Sequence, residues 1–483
     1  MFTNKKIIIL ISSFLIILIT SFTYVKFNGL RGYVSGNLIK ISRFISPTFF
    51  KYWIDNNKSV CVIGEYDNCL EFVTPLEAHK FIRKKEQIIE SLRAKTGEIE
   101  FVKNLRFEKY NLKNKKILFK KFQSKNLSIS KHPGAKGNTY IEYFNNNIIL
   151  AMANGFFSFV NFNDLEDEKF KSYMISSNFK KIVKYDNFYL SSGYGIKDIY
   201  IHDNKIYVSY SNEKKIDCFN TAIMVAEFNF SYLDFKKFYE PELCVKKKNL
   251  YGEFSMFHSG GRIFGYDKEH LIFTSGEYRY RTLAQMNDND LGKILLISIK
   301  DNNAKIISLG HRNPQGLYYD KENNILFSTE HGPRGGDEVN IMTNPLKKIR
   351  NYGWPISSYG EKYEGSGIGK KDYAKSHKEF GFEEPLVFFT PSIGISEIIK
   401  IDNKFIGNND DIHLLFGSMG RKSEDRKGSQ SLHYLILSDD LRIKFKKIIK
   451  INERVRDIFY VKDKNVILLY LETTGSLAVI SII

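Results

Sequence analysis

The sequence predicts an all-β fold, a six-bladed β-propeller, preceded by an N-terminal transmembrane helix and a short, partly helical extension. Three observations predict it. Six segments of the 483-residue chain share one pattern of short strand, polar turn and apolar strand, beginning at Thr139, Asp198, Arg262, Gly316, Glu397 and Asp457. The 39 Phe and 29 Tyr, with many Ile, favour β structure because aromatic and β-branched side chains fit a pleated, half-buried surface. An uncharged run from Ile7 to Val25 stands near the N-terminus. Hydrophobic content of 43% with 26% charged residues excludes a disordered polar chain and a polytopic membrane protein.

Taken in chain order, Ile7–Val25 is long enough to span a bilayer core and follows Lys5 and Lys6. Residues 1–25 therefore read as a membrane anchor, with a cleavable signal peptide as the rival. The small-x-small site a signal peptide needs is missing, since bulky Ile19 stands before Thr20-Ser21. Either reading directs the large C-terminal part across the membrane, giving a membrane-anchored, periplasmic or extracytoplasmic domain. Residues 26–134 form a basic, partly helical extension. Its helix starts at Thr74-Pro75-Leu76-Glu77, a Thr cap with Pro at the first helical position and Glu three after the cap, and runs to about Ala94. From Lys103 to Lys125, nine Lys/Arg meet only Glu108; the run reads as a solvated basic connector, the alternative being contact with an anionic surface. Residues 135–483 hold the six repeats, each a hairpin of half-buried strands, spaced by 59, 64, 54, 81 and 60 residues. Cys61–Cys69 and Cys218–Cys244 form disulfides in an oxidising compartment, or all four are buried thiols.

The formal charge of +18 raises nucleic-acid binding. No basic-aromatic module supports it, and a membrane-directed N-terminus argues against it. The polar signals cluster instead in GHRNPQG (310–316), TEHGPRGGDEVN (329–340) and NYGWPISSYG (351–360). Arg454 and Arg456, two apart on a strand, point to one face. Such a pair either flanks an anion or makes ordinary ion pairs with Asp457 or Glu453. Arg312-Asn313 adds a charge and an amide. Tyr352 and Trp354 read as packing and turn residues.

These three strings, with HSGGR (258–262), LGK (291–293) and RVRD (454–457), resemble the glucose/sorbosone dehydrogenase family, soluble quinoprotein dehydrogenases that use pyrroloquinoline quinone (PQQ) and Ca²⁺. The resemblance implies a sugar dehydrogenase. His258 is then the general base and Glu277 its neighbouring carboxylate, while Arg312, Asn313, Arg454 and Arg456, with Ser392 and Arg421, bind the cofactor. Gly332 and Pro333 offer backbone carbonyls to Ca²⁺. It further implies an aldose-type sugar oxidised at its C1 hydroxyl and a respiratory electron acceptor. Three positions depart from the family pattern: Ser192 replaces a Gln, Gly420 a Lys, and Thr390 an aromatic residue. They leave a second reading, a catalytically degenerate propeller that binds a glycan or an envelope partner.

Overall fold

The computed structural model of the protein describes residues 60–63, 71–73, 99–112, 115–124 and 138–483, apart from 186, 189–192, 251, 363–372, 407–410 and 422–426. The chain divides into two units, Met1–Ile89 and Glu90–Ile483. In the first, strands Val60–Ile63 and Glu71–Val73 pair antiparallel. The Ile7–Val25 span, the helix from Thr74, the side chains of Cys61 and Cys69, and Ser192 all lie outside the described residues. Among the described residues no helix is long and apolar enough to cross a membrane.

The second unit is all-β. Each predicted repeat opens with the innermost strand of an antiparallel sheet: Thr139–Phe144, Ile196–His202, Gly260–Gly265, Pro314–Asp320, Ile395–Ile401 and Val455–Val461. Each of these strands neighbours the next, and the last neighbours the first, which closes a ring. This is the β-propeller expected from the repeats. The turns follow from local chemistry. Asn145-Asn146 and Asp203-Asn204 take positive φ at both positions, as a two-residue hairpin turn of right-twisted strands requires. The fifth repeat differs from expectation: Asn403–Ile406 is a short helix, and the returning strand is Ile412–Ser418. The longest spacing, between the fourth and fifth repeats, holds an excursion whose Arg350–Asn351 strand joins the edge of the third sheet beside Ser308 and Leu309.

The basic run 103–125 is not a solvated connector, and ring material begins well before residue 135. Strands Ile99–Leu112 and Lys115–Ser124 form a long hairpin. Lys115–Ser124 pairs along Ser476–Ile482, the chain's last strand, and Ile99–Leu112 pairs with Lys169–Ser177, the outer strand of the first sheet. The hairpin thus completes the last sheet and fuses it to the first. Its apolar residues Phe101 and Phe122 are fully buried against Leu477, Val479 and Tyr470. Its lysines find acids, with Lys103 at 2.8 Å from Glu168 and Lys121 paired with Glu453. The lysine-rich composition hid two strands whose inward faces are hydrophobic.

At the centre of the ring the leading residues of four repeats meet. Arg262 Nη1 lies 2.9 Å from Asp198, 2.6 Å from Glu397 and 2.7 Å from Asp457, and its guanidinium sits 5.0 Å from the Tyr140 ring. One guanidinium faces three buried carboxylates. Burial, and then the carboxylates' mutual repulsion, raise the pKa of Asp198 and Glu397. Cys218 and Cys244 form a disulfide that ties the hairpin strand Cys218–Glu227 to the loop carrying Val245–Lys246.

Candidate active site

Five of the six inner strands carry a β-bulge near their first residues, where the ladder slips by one. Bulges re-aim side chains next to functional sites. Every candidate site residue lies at this end of the ring, either where an inner strand begins or where the neighbouring strand ends.

His258 precedes the third inner strand, and Glu277 follows its partner strand. Gly276 permits their approach: a Cβ there would lie 2.1 Å from the His258 carbonyl oxygen, closer than any side chain tolerates. His258 is buried, and its Nδ1 is 2.8 Å from Glu277 Oε1. Its Nε2 is 3.1 Å from Arg312 Nη2. A guanidinium only donates, so Nε2 carries the lone pair and Nδ1 the proton, which it gives to Glu277. The tautomer is therefore fixed from both sides. Burial, followed by the Arg312 charge, holds the His258 pKa well below its usual value, so the ring is neutral. Burial pushes Glu277 up to about 7 against the pull of Arg312.

Arg312 is held in place around its whole length. Its backbone N–H donates to Glu330, Nη1 donates to the His331 carbonyl at 2.9 Å, and the guanidinium lies 5.3 Å from the Trp354 ring. Glu330 is oriented in turn by His311 at 2.8 Å. Trp354 and Tyr352 are packing residues, as expected. Asn313 Oδ1 accepts from Gly260 N–H and from Gln315 at 3.1 Å each, which locks the start of the third and fourth inner strands together.

Across the ring, Arg454 and Arg456 do point to one face. Both reach Glu472, which neither alternative of the sequence reading named: Arg456 at 2.6 and 2.9 Å, Arg454 at 3.5 Å. Two guanidiniums share one carboxylate, and Arg454 Nε is buried without a hydrogen-bond partner among the described residues. Arg421, exposed, adds its charge to Arg454. An anionic cofactor fits this set. Gly420 cannot take a lysine's part, because a Cβ there would lie 2.4 Å from both the Ile393 carbonyl and Ser429 Oγ.

The Gly332-Pro333 loop is pinned by Asp337, which accepts from Gly332 N–H at 3.1 Å and from Gly394 N–H at 2.7 Å. Ser392 Oγ donates to the Pro333 carbonyl at 3.3 Å. The Pro333 carbonyl and the Ser392 hydroxyl thus meet from two loops, and oxygen donors of this kind suit a hard cation such as Ca²⁺. Thr390 stays at the exposed edge near Tyr359. His331, inside a recognised motif but given no role from sequence, joins the two halves. Its carbonyl holds Arg312, and its Nε2 lies 2.5 Å from the Ile395 carbonyl.

The family model for glucose / sorbosone dehydrogenase matches residues 173–479, well over half of the sequence. The chain belongs to this family. Among curated proteins it is 37% identical over 152 residues to aldose sugar dehydrogenase YliI of Escherichia coli (strain K12), and 30% identical over 128 residues to quinoprotein glucose dehydrogenase B of Acinetobacter calcoaceticus. These alignments span 29% and 20% of this chain and 39% and 26% of the relatives. Two solved structures share the fold. The soluble aldose sugar dehydrogenase of E. coli in its apo form superposes with a TM-score of 0.54 at 20% identity, covering 73% of this chain and 98% of that one. The PQQ-bound aldose sugar dehydrogenase of Streptomyces coelicolor gives 0.51 at 18% identity, covering 74% and 96%.

Proposed function

We propose that this family member is a quinoprotein oxidoreductase that oxidises an aldose-type sugar at its C1 hydroxyl. The observation that carries the proposal is the state of His258: buried, neutral, its proton on Nδ1 and its lone pair on Nε2. That is the state a general base needs to take a hydroxyl proton. PQQ, when bound, supplies the two-electron acceptor for the hydride of the same carbon, with Ca²⁺ as its Lewis acid. Arg454, Arg456, Arg312 and Asn313 would hold the cofactor's carboxylates, with Ser392 and Arg421 at the edge. The carbonyls of Gly332 and Pro333 would hold the cation. Glu277 orients His258 and stabilises the imidazolium once Nε2 has taken the proton. Arg312 keeps Nε2 in its accepting state until the substrate hydroxyl displaces it.

The protein works outside the cytoplasm, anchored by Ile7–Val25, and passes electrons to a respiratory acceptor. The Cys218–Cys244 disulfide supports an oxidising compartment. The second reading, a propeller that binds a glycan or envelope partner without turnover, draws on Gly420, which closes the position of the family's lysine to any side chain. One experiment separates the two. The full chain is reconstituted with PQQ and Ca²⁺ and assayed for dye-linked sugar oxidation. Turnover that falls about 10²–10⁴-fold in His258→Ala, with melting temperature kept, establishes the enzyme. Quinone-independent sugar binding with no turnover would establish the binding protein.

A further inference from the structure

Lys197 is a buried cation that the roles above leave unused. It stands on the second inner strand, one residue before Asp198, as Arg456 stands one residue before Asp457. Both are the extra residue of a bulge: the ladder steps from Ile196 to Asp198 in one blade and from Val455 to Asp457 in the other. The two side chains therefore hold the same register position on blades whose acids both bind Arg262.

Lys197 is 9% exposed, and its ammonium donates to the Gly193 carbonyl at 2.6 Å. Among the described residues it has no ion-pair partner. The charge that acts on it is the Arg456 guanidinium; burial first, and then that repulsion, bring its pKa down to about 7. Its surroundings are those of the active site. Gly193 packs against Met256 and Phe257, the residues leading into His258. The Lys197 stem fills the space over Gly261, where a Cβ would come within 2.3 Å of it. Lys197 thus stands between the segment leading to His258 and the Arg456 guanidinium, which shares Glu472 with Arg454. Burying an ammonium next to a guanidinium is costly unless an anion completes the set.

We propose that Lys197 is a further cofactor-binding residue, which with Arg454 and Arg456 seats a carboxylate of the quinone. It provides from the second blade the cation that Gly420 cannot provide from the fifth. This rests on the quinone reading above, and the test separates the two. PQQ with Ca²⁺, and citrate as a plain carboxylate probe, are titrated into full-length wild type, Lys197→Met, Lys197→Gln and Lys197→Arg. Binding is followed by fluorescence and by thermal melting. Expected are neutral variants that melt at or above wild type without ligand yet bind PQQ at least tenfold more weakly, with Lys197→Arg within a few fold of wild type. PQQ binding unchanged in the neutral variants overturns the inference and leaves the quinone reading standing. Loss of the fold in both neutral variants also overturns it, by making the ammonium structural. Should wild type bind no PQQ, the quinone reading falls. Citrate stabilisation of wild type that is lost in the neutral variants would then keep the anion seat, and its absence would remove that as well.

Discussion

The pair His258–Glu277 ties the chemistry to pH through two residues in opposite states. His258 is neutral across the useful range because burial and Arg312 depress its pKa. Glu277, raised to about 7, changes charge within that range. Protonated Glu277 keeps a carbonyl oxygen for Nδ1–H but loses the negative charge that would stabilise the imidazolium once Nε2 takes a proton. The expected kcat/KM therefore rises with pH through about 7 and levels off above it. In Glu277→Gln the amide cannot titrate, so the acid limb disappears, and kcat falls at every pH because the imidazolium loses its counter-charge. A pH–rate profile of both proteins checks this; an unchanged limb in Glu277→Gln would assign it to another group. At this scale residue types were legible in the sequence and their partners were not. His258, Arg312, Arg454 and Arg456 stood in motifs, whereas Glu472 and Lys197 stand in none, His331 has no role that its motif announces, and all three acquire roles through neighbours distant along the chain.

At the scale of the strand, what was legible was alternation. The six repeats announced their inner strands because apolar residues flank turn-forming Asn and Asp. The fifth misled because Asn403–Ile406, apolar enough for a strand, turns as a short helix. The leading residues of four of the repeats, Asp198, Arg262, Glu397 and Asp457, are the ones that meet at the ring's centre. Removing one side of this cluster exposes its energetics. Arg262→Met leaves Asp198, Glu397 and Asp457 buried without their cation, at a cost of about 3–5 kcal/mol. The sign of its pH dependence follows from the raised carboxyl pKa values. The folded state holds protons that the unfolded chain releases at its lower, ordinary values, so these groups withdraw stability as pH rises from about 4 toward the folded pKa values. Without Arg262 those values rise further, so the penalty grows with pH. Arg262→Met is expected to melt closest to wild type near pH 5 and to fall progressively behind toward pH 8. Thermal melts at the two ends suffice, and an equal deficit at both would mean the carboxylates do not titrate with folding.

In the second unit the sheets form a ring, and strands far apart in the sequence close it. Here the last sheet takes Val455–Val461, Val466–Leu471 and Ser476–Ile482 from the C-terminal end and Lys115–Ser124 from far upstream. Without that fourth strand the edge Ser476–Ile482 keeps unpaired backbone groups, and the link through Ile99–Leu112 to the first sheet is lost. Arg456 stands on this last sheet, with Arg454 and Glu472 at the ends of its strands, so closure also positions the anion-binding half of the site. The sequence concealed this because closure is a contact of long sequence separation, carried by a segment whose lysines outweigh its hydrophobic face. Two chains test it. One beginning at Glu90 retains the hairpin and is expected to melt cooperatively, with near-ultraviolet dichroism like that of the full chain. One beginning at Lys125 lacks both strands and is expected to aggregate or to lose its cooperative transition. Phe122→Ala in the full chain, which empties a fully buried ring site between the two ends, should cost about 3–5 kcal/mol, as in any well-packed core. A chain from Lys125 that melts like the full protein, together with a negligible effect of Phe122→Ala, would mean that the ring closes through its C-terminal strands alone.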